Sequence, residues 1–234
     1  MNHRADLVGR DIGTETHQAA GDELSACLGE LPVRKEHDPA DDLLSRQLLR
    51  QREHGKVDHE GLVDLAFLLL LAGFETTANM ISLCIVALLE SSGVLDVIRR
   101  DPIRRPDAME ELLRLLTVAE VATARVAAED VEIGGVLVRA GEGVFGLAHA
   151  ANHDPAVFHR PDELDIERGG GHPLAFGTGP HRCLGQALAR TELRIVVDTL
   201  FRRIPGLRLE SAVEELLFND DPIAYGLYQL PVIW

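Results

Sequence analysis

The chain has 234 residues, 46% of them apolar, with 38 acidic against 23 basic side chains and a formal net charge of −15. That length suits one large globular domain or two small ones, and the acidic balance argues against a nucleic-acid partner, which needs a basic footprint. Cys27, Cys84 and Cys183 are far apart, odd in number and without Cys-x-x-Cys spacing, so they build no disulfide framework and suit a reducing cytoplasm.

Residues 1–13 carry no readable pattern, and the polar start Met1-Asn2-His3-Arg4-Ala5-Asp6 has no signal-peptide core. Residues 14–55 read as helical, with Ala40-Asp41-Asp42-Leu43-Leu44 as an acidic helix start and His54-Gly55-Lys56 as a turn. Asp58 suits the N-cap of a helix of about thirty residues ending near Ser91-Ser92-Gly93. The apolar runs Leu65–Phe74 and Met80–Leu89 could pass for a membrane span, but Glu75-Thr76-Thr77-Ala78-Asn79 puts a carboxylate between them. A long helix buried in a large soluble core is expected instead.

A second helix is expected from Pro106 to about Leu116. Val131–Val138 alternates around Gly134-Gly135 and signals a hairpin, and Val144-Phe145-Gly146-Leu147 reads as a short strand. Residues 154–182, rich in Pro, Gly, His and Asp, read as a long ordered loop of functional type. A final helix follows Cys183, with Leu184, Leu188, Leu193, Val196, Val197 and Leu200 at helical spacing, and Pro205-Gly206 ends it. The tail from Asp221 reads as strand and turn. No internal repeat or disordered linker is visible, and the class is mainly α with small β-sheets (α+β).

Three constellations carry chemistry. The first is Phe176-Gly177-Thr178-Gly179-Pro180-His181-Arg182-Cys183-Leu184-Gly185. Its glycines allow positive φ and close approach to a flat object, and its cysteine stands where a following helix aims its positive end at a thiolate. A buried structural cysteine, a zinc site using His181 with His153, His159 or His172, and a Cys–His nucleophile are the alternatives; an axial metal ligand in a cofactor pocket suits the pattern best. The second is Ala72-Gly73-Phe74-Glu75-Thr76-Thr77, an acid and two hydroxyls inside an apolar helix. Burying such an acid without a role is costly, and a mid-helix Thr bonding back to a carbonyl bends the helix; a satisfied polar kink is the plain meaning. The third is Glu111-Leu112-Leu113-Arg114, whose Glu and Arg share one helix face and by themselves mean a solvated pair.

The cysteine loop resembles the haem-binding signature of the cytochrome P-450 superfamily, in the bacterial form with His two residues before the Cys. The other two motifs resemble the superfamily's in the right order. The resemblance runs from about residue 14 to Trp234 and is closest to soluble actinobacterial-type members. It implies a haem-thiolate monooxygenase with haem b (iron protoporphyrin IX), Cys183 being the iron's axial ligand and Ala72, Gly73, Phe176, Gly177 and Gly185 lining the cofactor. Thr76 would stabilise activated oxygen and Glu75 would relay protons, while Arg125 and His181 would hold the haem propionates. Glu111, Arg114 and Arg168 would form a structural network.

The resemblance further implies O2, a lipophilic substrate such as a macrolide, terpenoid or steroid-like molecule, and electrons from NAD(P)H through a ferredoxin-type partner. No membrane or nucleic-acid partner is implied, and the location would be cytoplasmic. Leu69, Ala72, Gly73, Val121, Ala122, Thr123, Ala224 and Tyr225 are candidate substrate-lining positions, and Arg182, Arg190 and Arg194 are candidates for docking an acidic partner. Superfamily members are much longer, so the chain matches the C-terminal catalytic core of the fold, taken as one domain over residues 1–234, with the N-terminal part missing. A truncated non-catalytic haem-binding fragment or pseudoenzyme is the alternative, and an α-rich protein with a structural zinc or no metal is the third reading.

Overall fold

Aspartates set two of the helix starts in this computed structural model, which describes residues 14–119, 124–168, 172–219 and 224–234. Asp42 accepts the Ser45 amide at 2.9 Å and caps α2 (Leu43–Glu53). Asp58 accepts the Gly61 amide at 3.0 Å at the start of α3 (His59–Glu90). Both satisfy amides that the first helical turn leaves without partners.

The chain divides into two compact units, residues 1–72 and 73–234. In the first, α1 (Thr14–His37) packs on α2, and Leu28, Leu48, Leu62 and Ala66 are buried. Its polar side is tied by Lys35 to Asp42 at 2.5 Å and by Arg52 and His59 to Glu36 at 3.1 and 3.2 Å. The Lys35 ammonium, helped by the Ser45 amide, pulls the Asp42 carboxyl down to about 2.

The second unit holds the rest of α3, then α4 (Ser92–Arg100), a 3-10 turn (Pro102–Arg104), α5 (Arg105–Leu116), α6 (Ala148–Asn152) and α7 (Gln186–Arg203). Met80, Leu83, Cys84 and Leu88 of α3 repeat at helical spacing and form one buried stripe. They meet Leu95 and Ile98 of α4, Ala108, Met109, Leu112 and Leu113 of α5, and Leu193, Val197 and Phe201 of α7 in one core. Burial in that core pushes the Cys84 thiol far above its ordinary range.

The described residues form four two-stranded antiparallel sheets. β1 (Ala124–Val126) pairs β4 (Gly143–Phe145), with Arg125 opposite Val144. β2 (Val131–Ile133) pairs β3 (Val136–Val138); the turn between them puts Gly134 at φ 59° and Gly135 at φ 81°, the doubly positive geometry of a tight hairpin. β5 (Arg208–Leu209) pairs β8 (Val232–Ile233), and β6 (Phe218–Asn219) pairs β7 (Gly226–Leu227).

Four elements differ from expectation. α4 stands where Ser92-Gly93 reads as a helix end; burial of Leu95 and Ile98, three residues apart, outweighs one unfavourable glycine. α6 is a short helix where none is expected. α3, expected to be buried along its length, is buried only in stretches: Leu68 through Glu75 are exposed, Phe74 at 73%. The apolar run is longer than the core its second half enters. α3 is long and apolar enough to cross a membrane by length and composition, and a soluble core helix passes the same test. In α7, Leu193 and Val197 are buried while Leu188, of the expected apolar row, is 63% exposed, and Leu184, before the helix, is 86% exposed.

Leu112→Ala, at a fully buried site, is expected to cost about 2–5 kcal/mol in urea unfolding through lost transfer energy and a residual cavity. Acid should act on the α1–α2 tie. The Asp42 carboxyl titrates lower folded than its unfolded value of about 3.9, so the stability it contributes is present above pH 4 and is lost as the pH falls toward about 2. Helical circular dichroism on acid titration, with Asp42→Asn lacking that step, checks it.

Candidate functional site

The cysteine loop is shaped by its glycines. Gly177 and Gly179 take φ 66° and 74°, the left-handed region that L side chains disfavour. Gly177 donates its amide to Leu174 O at 2.8 Å, and the Cys183 amide donates to Phe176 O at 2.9 Å, closing the loop at its neck. Between them Gly179–His181 forms a 3-10 turn. The Cys183 side chain is exposed, three residues before Gln186 opens α7. A Cβ at Gly185 would stand 3.9 Å from the Cys183 Sγ, so the glycine keeps one flank of the sulfur open. The positive end of α7 lies beside a group that reacts and ligates as an anion.

A buried ionic network supports the loop from α5. Arg114, fully buried, donates through Nε to Glu111 Oε2 at 2.8 Å and through Nη2 to Glu111 Oε1 at 2.9 Å. Its Nη1 donates to Asn152 O at 2.7 Å, and its guanidinium lies 5.2 Å from the centre of the Phe158 ring. Arg168 Nε donates to the same Glu111 Oε1 at 2.9 Å, joined there by the Asp165 amide at 3.1 Å. Arg168 also donates to the carbonyls of His159, Arg160 and Glu163. Arg160 has φ 47°, a conformation costly for a non-glycine residue, and the Arg168 bond to its carbonyl at 3.1 Å helps to hold it there.

Sequence reasoning missed the next link. Asn152, fully buried at the end of α6, donates Nδ2 to Thr117 Oγ1 at 2.8 Å and accepts the Leu174 amide on Oδ1 at 2.7 Å. Asn152 therefore connects the Glu111–Arg114 pair to the entry of the cysteine loop. An amide side chain at the end of the Ala-rich Ala148-His149-Ala150-Ala151 run was the available signal, and its meaning depends on α6 existing.

The remaining expected residues lie on other elements. Ala72, Gly73 and Glu75 are exposed and Thr76 is half-buried on α3, which runs as α-helix throughout this stretch. Arg125 is exposed on β1 and donates to the adjacent Ala124 carbonyl at 2.8 Å; His181 is exposed in the 3-10 turn. Ala224 is buried, its carbonyl accepting Asn79 Nδ2 at 2.9 Å, and Tyr225 stacks on Phe218 at 5.9 Å between ring centres. Leu69 is exposed; Val121, Ala122 and Thr123 lie outside the described residues. Of the three arginines near the cysteine, Arg182 and Arg194 are exposed, whereas Arg190 pairs with Glu110. Among the described residues no three His, Cys, Asp or Glu side chains converge to hold a metal ion.

The Cytochrome P450 family model matches residues 106–205, a span containing Glu111, Arg114, Arg168 and the whole cysteine loop. The crystal structure of cytochrome P450 MoxA from Nonomuraea recticatena superposes with a TM-score of 0.90 at 56% identity, covering 97% of this chain and 56% of that one. The chain belongs to the cytochrome P450 family. Cytochrome P450 105A3 of Streptomyces carbophilus is 43% identical over 95% of this chain and 54% of its own length. Pentalenic acid synthase of Streptomyces avermitilis is 45% identical over 96% of this chain and 56% of its own length. The mainly helical architecture with small sheets is thus part of a P450 fold, and the chain spans little more than half the length of the curated relatives it matches.

Family membership implies a haem cofactor, and the donor set here fits one. A single exposed thiol sits in a loop whose Gly177, Gly179 and Gly185 carry no side chains, next to the exposed apolar Leu184. The exposed Arg125 guanidinium and the exposed His181 ring, both hydrogen-bond donors, are available for acidic groups on such a cofactor.

Arg114→Ala would leave the Glu111 carboxylate buried with half its partners and is expected to cost about 3–5 kcal/mol, read as a lower urea midpoint. Asn152→Leu should leave the Leu174 amide without its acceptor and lower the midpoint through an unmade buried hydrogen bond.

Proposed function

We propose that this chain forms the thiolate-bearing part of a haem monooxygenase that oxidises a lipophilic small molecule in the cytoplasm, in secondary metabolism. The observation that carries this is the Cys183 loop: an exposed sulfur, a neck closed by the Cys183 amide on Phe176 O, and two positive-φ glycines between. The cofactor we infer is haem b.

Haem bound through a thiolate supplies the redox chemistry that cleaves O2, one atom entering the substrate and the other leaving as water. The chain's own residues would bind, orient and meter. Cys183 would give its sulfur to the metal as the thiolate. Arg125 and His181 would pair with the two propionates as charge-assisted hydrogen-bond donors. Phe176, Gly177, Gly185, Ala72 and Gly73 would line the cofactor, and the apolar Leu184 would help keep water from the sulfur. The Glu75 carboxylate and Thr76 hydroxyl, adjacent on α3, would hold and pass protons, a general-acid arrangement. Glu111, Arg114 and Arg168 would act structurally. Electrons would arrive from NAD(P)H through a ferredoxin-type partner, for which the exposed Arg182 and Arg194 offer positive charge. Terpenoid, macrolide and steroid-like molecules are the substrate classes we favour.

The span of little more than half of the relatives' length favours a second reading, a haem-binding fragment without turnover. One series separates them. The purified chain is loaded with haemin, reduced and exposed to carbon monoxide. A red-shifted Soret band of thiolate ligation is expected, and Cys183→Ala should abolish it; no such band in the unmodified chain, or zinc found by metal analysis, sinks both readings. Product formation with a ferredoxin system distinguishes an enzyme from a fragment. In an active preparation, Thr76→Ala should keep the band while electron consumption runs ahead of product; unchanged coupling would remove Thr76 from its role.

A further inference from the structure

Arg190 lies seven residues after Cys183, in the second turn of α7. Its guanidinium touches three separate stretches of chain. Nε and Nη2 donate to Glu110 Oε1 and Oε2 on α5 at 2.5 and 2.9 Å, a bidentate pair. Nη1 donates to Gln186 Oε1 at 3.0 Å at the start of α7. The guanidinium carbon lies 4.5 Å from the centre of the Phe176 ring, within cation–π range. Phe176 is the residue whose carbonyl accepts the Cys183 amide.

The entry to the cysteine loop is therefore held at two points two residues apart. Asn152 fixes the Leu174 amide, and Arg190 fixes the Phe176 ring. Both ties trace back to neighbouring carboxylates on α5, since Glu111 pairs with Arg114, which donates to the Asn152 carbonyl, while Glu110 pairs with Arg190. Glu110 and Arg190 retain 42% and 31% of their side-chain exposure, and pairs that exposed contribute little to global stability. Their placement matters instead: a planar fork that binds a carboxylate and stacks on a ring at once is a function lysine cannot copy.

We propose that Arg190, held by Glu110, is a positioning residue that sets the Phe176 ring and through it keeps the Cys183 loop closed in ligand-ready geometry. The inference deepens the haem-thiolate reading and rests on it for the identity of the ligand, but its first test needs no cofactor.

Amide hydrogen exchange of the peptide covering residues 174–183 is measured on the whole chain without haemin. Arg190→Lys is expected to raise exchange across this segment by roughly tenfold, as in a local opening, with the melting temperature nearly unchanged. Unchanged loop exchange overturns the proposal. Glu110→Arg combined with Arg190→Glu rebuilds an ion pair between α5 and α7 but leaves no cation over the ring. It should melt like the original chain while the loop still exchanges fast; recovery of loop protection with the melting temperature would reduce Arg190 to a tie between helices and overturn the proposal. Phe176→Leu, which touches neither charge, should reproduce the fast loop exchange, and it keeps the idea falsifiable if the reversed pair does not fold.

With haemin and carbon monoxide, Arg190→Lys should divert part of the red-shifted band to the unshifted position, and a full red-shifted band in that variant also counts against the proposal. If the unmodified chain shows no red-shifted band, the haem reading fails, while the exchange data still decide whether Arg190 holds the loop.

Discussion

One carboxylate organises the second unit of this protein. Glu111 accepts from Arg114, from Arg168 and from the Asp165 amide, and its charge is tolerable in a buried place because every oxygen is matched by a cation or an N–H. Arg114 passes that constraint to the Asn152 carbonyl and Arg168 passes it to the segment from His159 to Glu163. The positive φ of Arg160 makes sense only inside this arrangement. Such a network adds less stability than its bond count suggests. What it supplies is a fixed geometry for a stretch of chain with almost no regular secondary structure.

Legibility in the sequence followed the range of the signals. Asp42, Asp58 and the Gly134-Gly135 turn were readable because capping and hairpin chemistry are local, decided within a few residues. The long helix was readable from its apolar run, but its burial was not, since burial depends on what else packs there. α4 was lost to Gly93, a local signal that core contacts of Leu95 and Ile98 override. The pairing of Glu111 with Arg114 followed from helix spacing, and their burial with Arg168, 54 residues beyond Arg114, rested on resemblance to a family. Asn152 had neither support: its partners Thr117 and Leu174 are distant in sequence, and α6 is too short to show a period.

The site divides along the same line. The loop around Cys183 is tied directly to Asn152 of α6 and to Arg190 of α7, and its conformation follows from its own glycines and their surroundings. Glu75 ends the exposed stretch of α3 next to Phe74 and Thr76 is the half-buried residue after it, where the local sequence dictates little beyond the helix itself. Large apolar side chains exposed at Leu184, Leu188 and Phe74 mark the surfaces where the chain, alone, leaves apolar area in water.

Glu110 and Glu111 are consecutive on one helix, so their side chains leave it on directions about 100° apart. The helix thus works as a common axle, with one carboxylate steering Arg190 and the other steering Arg114. Its further face, Ala108, Met109, Leu112 and Leu113, is locked in the core. A rotation of α5 that slackened one tie would slacken the other and unseat the core stripe with them. The cysteine loop, exposed though it is, therefore takes its place from the interior through these two ties, and losing one of them lets the loop open locally while the core stays folded.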